Sequence, residues 1–413
     1  MQRIRFCTFL QGSFHAAFLL GLTYACHAEV IVKVEAENDA IAAGPVEFQV
    51  PENIEVPESF ALMQGNQAVA AQWLNRDERR AAFILPTPIE KGGSIAFTLQ
   101  AAANHKEDTP NVSISTENPA GAVTAFVGGH PVLSYWATTR MPPDSIPAVF
   151  KRSGHIHPLY TPGGEVVTSE FPADHAHQHG LFHAWVNTSL AGKKVDFWNQ
   201  KGLTGNVRHV RLVSKTSGPV FAEFTAELEH VAIDADGSET PALRELLTVR
   251  VWNVSGPFMV DTHTVQTLVA STPLIVHEYH YGGAAIRGRD DWLDNPHANF
   301  LTSEGKSRVD GNHTRPEWVS MHGPTSNGFA SVTIIGHREN LRFPQPVRLH
   351  PGKPYFVFTP PQLGEFIIDA DHNYEARYRL LLQDSRPEIE QIEPHRAVYL
   401  SPPQVAVFHD CAN

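Results

Sequence analysis

The sequence predicts an all-β protein, with a small N-terminal β-sandwich followed by a large antiparallel two-sheet β-supersandwich. Three observations carry this reading. Apolar and polar residues alternate in short runs, the period of a strand rather than of a helix. The 31 prolines and 29 glycines are spread along the chain, which suits many strands joined by turns. Only "ALRELLTVRVW" (Ala242–Trp252) could pass for a helix, and its Val-rich end favours a strand.

The elements follow in order. Residues 1–28 read as a secretory signal peptide: Arg3 and Arg5 give the positive start, and Ala16–Cys26 is an apolar run too short to span a bilayer. "CHA" (Cys26–Ala28) has small outer residues, so cleavage is expected after Ala28, with a secreted or periplasmic mature protein beginning at Glu29. A lipoprotein with Cys26 lipidated fits less well, because Thr23 and Tyr24 suit that signal poorly. Residues 29–105 hold "VIVKVEAE", "VEFQVP", "AAFILPTP" and "SIAFTLQA", the strands of a small β-sandwich. Residues 106–121 are polar and turn-rich and read as a linker. Residues 122–400 carry longer strand signals, among them "VFAEFTAELEHVAI", "FMVDTHTVQTLVA" and "LIVHEYHYGGAAI", which call for two large sheets packed together.

Composition excludes several classes. The chain has 32 basic and 44 acidic residues, a formal charge of −12, and no basic stripe, so nucleic acid is not an expected partner. Cleavage would remove two arginines and no acid, which makes the mature chain more acidic still. Of Cys7, Cys26 and Cys411 only Cys411 would remain, leaving no intrachain disulfide and no thiolate metal cluster. No later stretch is apolar for long enough to form a membrane-spanning helix. GxGxxG, Walker, HExxH and GxSxG motifs are absent, which argues against cofactor dehydrogenases, kinases and α/β-hydrolases.

Four constellations could carry chemistry. "DHAHQHGLFHAW" (Asp174–Trp185) puts His175, His177, His179 and His183 within nine residues. In a strand, His175, His177 and His179 would share one face about 13–14 Å long. Between Pro172 and Gly180 they could equally lie in a loop, with some holding the backbone by hydrogen bonds. The density of titratable groups beside Asp174 favours function, with these three as catalytic candidates. "KRSGHIHPLYTPGG" offers Arg152 and His157, and the alternative there is a solvated hairpin. "HEYHYGGAAIRG" offers His280 and Arg287; Gly282 and Gly283 would permit a turn or a close approach to a ligand, and Arg287 could meet a carboxylate or form a cross-strand ion pair. Trp185 and Trp198, like Trp252, read first as core residues, and if exposed would be sugar-stacking platforms.

Residues 151–198, "KRSGHIHPLYTPGGEVVTSEFPADHAHQHGLFHAWVN…VDFW", resemble the hallmark segment of a bacterial secreted family of unknown function labelled "methane oxygenase PmoA". The similarity runs from about Ala122 to Pro387. More distantly, "FMVDTHTVQTL…LIVHEYHYGGAAIRG" and "ARYRLLLQD" resemble the strand succession of galactose-mutarotase-like β-supersandwiches. That resemblance implies a concave sheet face lined by His175, His177, His179, His280 and Arg287, where a sugar would bind. These positions do not match the epimerase histidine/glutamate pattern, so epimerase activity is not implied.

The expectation is a secreted carbohydrate-active enzyme, a lyase or hydrolase of glycosidic bonds in an oligosaccharide. One histidine of 175–179 would be the acid or base, and Arg287 or Arg152 would neutralise negative charge. No cofactor is expected, although two or three of the histidines could bind a metal in place of the arginine. The alternatives are a carbohydrate-binding protein without catalysis and a copper-dependent oxidase, which the family label implies and which needs a closed histidine geometry.

Overall fold

The computed structural model describes residues 29–102 and 111–410. The signal-peptide reading of residues 1–28 and the remaining Cys411 lie outside the described residues. Strands dominate, as alternation in the sequence requires, and they form antiparallel sheets.

The first sheet has seven strands in the order Gly44–Gln49, Arg80–Leu85, Gln67–Asn75, Phe60–Gln64, Ser94–Ala101, Glu29–Glu35 and Gln404–Asp410. It curls on itself, so that Phe48 on one edge meets Phe60 at 6.5 Å between ring centroids. Phe83 and Phe97 meet edge to face at 5.2 Å, and Val32, Val34 and Leu62 complete a separate apolar core. The seventh strand comes from the far end of the chain. It pairs Gln404–Asp410 with Glu29–Glu35, beyond the residue-400 limit that the sequence pattern placed on the large β region.

Two eight-stranded sheets share the main core. One is built of long strands, in the order Gly205–Thr216, Phe221–Ile233, Glu239–Trp252, Phe258–Leu268, Tyr374–Gln383, Gly328–Gly336, Trp318–Thr325 and Asn299–Thr302. Its alternation is visible along Phe221–Ile233, where Phe224, Ala226 and Leu228 turn inward. Glu223, Glu227 and Glu229 on the outer face pair with Arg250, Arg244 and Arg208 on the neighbouring strands. The second sheet runs Val347–Leu349, Tyr355–Phe358, Gly283–Arg287, Leu181–Ala184, Ile156–Leu159, His130–Trp136, Ala122–Val127 and Val112–Ser115. Its last strand corrects the linker boundary: Val112, fully buried, and Ile114 pack on the core, and the segment pairs with Ala122–Val127. A four-stranded sheet, Lys193–Val195, Thr188–Leu190, Leu274–Val276 and Phe366–Ile368, stands beside them.

One α-helix, Ile389–Leu400, sits against Trp252, Trp318 and Ala82, and so packs on both the long-stranded sheet and the seven-stranded one. Among the described residues no helix is long and apolar enough to cross a membrane, which says nothing of a β-barrel.

Candidate active site

The histidine-rich segment is a loop, which settles the choice between strand and loop. Two tight turns succeed each other: the His175 amide donates to the Pro172 carbonyl at 3.0 Å and the Gln178 amide to the His175 carbonyl at 2.9 Å. The chain enters through Phe171 at φ +53° and leaves through Gly180 at φ +59°. A Cβ at Gly180 would stand 2.2 Å from the Ile156 carbonyl oxygen, so only glycine lets the loop return this close to the neighbouring strand. Because the backbone is turned rather than extended, the three histidines do not share a face. His175 and His177 point outward, and His179 is fully buried.

His175 and His177 line a cavity of about 180 Å³. Its other walls are Trp198 and Asn199 from the loop after Lys193–Val195, Tyr279 and Tyr281 before Gly283–Arg287, and His350 and Tyr355 around the turn into Tyr355–Phe358. The His175 ring lies 5.5 Å from that of His177 and 6.0 Å from that of His350. Across the cavity Tyr281 is 6.1 Å from Tyr355 and 6.3 Å from Trp198. Asp196 holds the Trp198 loop by accepting from the amides of Trp198 and Asn199 at 2.9 and 2.8 Å.

Beneath this cavity lies an ionic knot. Arg287 grips Asp174 with both Nη atoms, at 2.9 and 3.1 Å, and donates to Gln178 Oε1 at 3.0 Å. Lys353 Nζ reaches the same carboxylate at 2.6 Å. Asp174 in turn accepts from His175 Nδ1 at 3.2 Å. Burial works against the charge on Asp174, but Arg287 and Lys353 hold its carboxyl well below the usual carboxylate range. An anchored carboxylate at Nδ1 leaves the lone pair of a neutral His175 ring at Nε2. Burial, reinforced by neighbouring charges, depresses His177 to about 4 and His350 to about 4, so both rings are neutral acceptors at ordinary pH. The Tyr355 hydroxyl is buried without a partner, and burial raises it well above its usual value.

The remaining sequence candidates lie elsewhere. Arg287 is wholly buried and spent on Asp174 and Gln178, so it positions the loop and does not face a ligand. Arg152 is also buried, its guanidinium carbon 5.1 Å from the Phe182 ring centroid. His179 donates to Gln200 Oε1 at 3.0 Å and its ring is 5.3 Å from that of His155. Trp185 is a core residue with no exposed surface, donating to Gln266 Oε1 at 2.7 Å. Trp198 is 3 % exposed, so it forms the cavity floor rather than an open platform. His280 stands between Tyr279 and Tyr281 but is not itself in the lining. His157 lines a different, open cleft with Glu165, Glu170, Asp290 and Asp291, and bonds Thr168 Oγ1 at 3.0 Å. Gly283, at φ +126°, approaches the Phe358 carbonyl oxygen and not a ligand; a Cβ there would stand 2.3 Å away.

Sequence reading missed His350, Lys353 and Tyr355. The signal was present in "VRLHPGKPY" (Val347–Tyr355), where Arg348 and His350 alternate before a Pro-Gly turn, but nothing in the sequence brings that segment to the histidine loop. Among the described residues no three His, Cys, Asp or Glu side chains are arranged to hold a metal ion.

Fold and site thus define an all-β protein with a histidine- and tyrosine-lined pocket at one edge of its second large sheet. The chain belongs to the Family of unknown function (DUF6807), which matches residues 122–396; that match carries no activity with it. No curated protein matches. Two crystal structures of heparan sulfate lyase HepC from Pedobacter heparinus, one of them a mutant, are similar at 12% identity, with TM-scores of 0.33 and 0.34. Both cover 68% of this chain, which spans 38% of theirs.

Proposed function

We propose that the protein is a carbohydrate-active enzyme that cleaves glycosidic bonds of an oligosaccharide by elimination, in the pocket of His175, His177 and His350. One observation carries this reading: the described lining offers three imidazoles and three phenols but no carboxylate. Hydrolysis by the common route needs two carboxyl groups flanking the bond. Asp174, beside His175, is held by Arg287 and Lys353, and Asp196 is held by the amides of Trp198 and Asn199. Elimination needs instead a base of near-neutral character and a proton donor for the leaving oxygen, roles that imidazole and phenol fill.

In this scheme His175, oriented through Nδ1 by Asp174, takes at Nε2 the proton from the sugar carbon beside a carboxylate. The electron pair left behind forms a C=C bond as the neighbouring C–O glycosidic bond breaks. A phenol of the opposite wall, Tyr281, protonates the departing oxygen. No water is consumed, so the products together have the mass of the substrate.

The test is incubation of the protein with a panel of uronate-containing and neutral oligosaccharides, followed by mass analysis. An unsaturated product lighter by one water than the hydrolysis product is expected. Products that have gained water would sink the elimination scheme. Tight binding with no product from any member of the panel would leave a carbohydrate-binding protein, which the same aromatic walls would serve.

A further inference from the structure

We infer that Arg348 is the group that reads the acidic substituent of the saccharide, so that this pocket selects sugars carrying a carboxylate. The inference rests on the reading of the pocket as a saccharide site, and it assigns a residue outside the four constellations that the sequence singled out.

Arg348 is the middle residue of the edge strand Val347–Leu349, two residues before His350. Its guanidinium carbon is 5.7 Å from the centroid of the Tyr281 ring, and Tyr281 is a wall of the pocket. Val347 and Leu349 on either side of it are buried while Arg348 is partly exposed, so its side chain leaves the face of the strand opposite the core, toward Tyr281. Yet among the described residues it has no acidic partner. Its sole side-chain hydrogen bond runs from Nη1 to the Leu349 carbonyl at 3.4 Å, and its Nε is buried without any partner.

The neighbouring arginines make the contrast. Arg287 is saturated by Asp174 and Gln178. Arg289 is held by Glu165 and Asp291. Arg308 donates to the carbonyls of Ala298, His350 and Lys353, and Arg342 to those of Pro360, Gly364 and Glu365. Arg152 is unpartnered too, but it is buried behind Phe182, out of reach of a ligand. Arg348 is thus a partly exposed cation with no acidic partner, standing outside the lining itself but against its Tyr281 wall, beside a pocket whose described lining has no acid, in a chain of formal charge −12. A cationic spot in an acidic protein attracts anions locally. A guanidinium lying near an aromatic face has an edge that matches a carboxylate bidentately.

The experiment measures calorimetric binding of a uronate oligosaccharide and of its methyl ester, which has the same shape without the charge, to the full chain and to Arg348→Gln and Arg348→Lys. The wild type should bind the acid roughly 10- to 100-fold more tightly than the ester, the scale of charge-assisted hydrogen bonds. Arg348→Gln should erase that preference, and Arg348→Lys, which keeps the charge but not the fork, should restore part of it. A sulfated neutral oligosaccharide forms the third arm; binding it in preference to the uronate would overturn the assignment to a carboxylate. So would an ester bound as tightly as the acid, or a preference that survives Arg348→Gln. Because the readout is binding, an Arg348-dependent preference stands even if product analysis rejects elimination, and elimination stands even if Arg348 proves indifferent.

Discussion

His175 and His177 face a pocket, whereas His179, two residues on, ends inside the protein against Gln200 and His155. All three come from one seven-residue stretch of loop, so residue type and local spacing do not distinguish them. The difference is what each ring meets. The outer two stand among phenols and an open cavity, with one of them tethered to an ionised Asp174. The inner ring belongs to a buried polar set with His155 and Glu170, whose Nε2–Oε1 contact is 2.6 Å. The comparison teaches that a histidine cluster can hold one half built into the core and one half facing a pocket, parted by a single tight turn.

Substitutions sharpen or break this division. The largest expected effect lies on the inner side, at Trp185. Its alanine variant should lose about 3–5 kcal/mol of stability, because a fully buried indole and its bond to Gln266 disappear together. Chemical denaturation checks it, and a loss below about 1 kcal/mol would mean that Trp185 is not part of the core.

On the outer side His175→Ala should lower turnover by roughly 100-fold, the scale of a lost acid or base, with the unfolding temperature nearly unchanged. His179→Ala should show the opposite pattern, a clear stability loss that itself accounts for any drop in rate. If both variants behave alike, the division between inner and outer histidines fails.

The inner set also makes a prediction about pH. Burial holds His155 and His179 below the ordinary histidine value. Unfolded, both rings take up protons near pH 6.5. Below that value the unfolded chain binds more protons than the folded one, so their contribution to stability is complete above about pH 6.5 and is lost as pH falls. The unfolding midpoint should therefore drop through this range, and less steeply in His179→Gln. A slope unchanged in that variant would show that His179 is not a titrating contributor.

The smallest effect is expected at Lys353. It is one of two cations on Asp174, is partly exposed, and leaves the bidentate Arg287 in place when removed. Lys353→Met should change turnover only a few-fold, in keeping with about 1 kcal/mol or less for such a pair. A loss as large as that of His175→Ala would move Lys353 from support into the chemistry itself.

Much of the fold was legible in the amino-acid order because burial writes itself into period. Phe224, Ala226 and Leu228 alternate with Glu223, Thr225 and Glu227 because one face of their strand meets the core and the other meets water. The helix Ile389–Leu400 was not, since Pro394 inside it and a short, weakly patterned run mask it; its apolar side forms only against Trp252 and Trp318. The strand Gln404–Asp410 was also hidden, because pairing with Glu29–Glu35 across the whole chain length leaves no local mark.

The sequence by itself determined the strand-rich class, the acidic surface and the presence of a dense histidine segment beside Asp174. Only the tertiary structure decided which histidines line the pocket, that Arg287 is spent on Asp174, and that His350 and Tyr355, more than 170 residues away in the chain, close that pocket. The reason is physical. Period reports how one segment divides between core and water, whereas a site is made where the edges of separate strands and their loops come together, and that meeting depends on pairing order rather than on any local pattern.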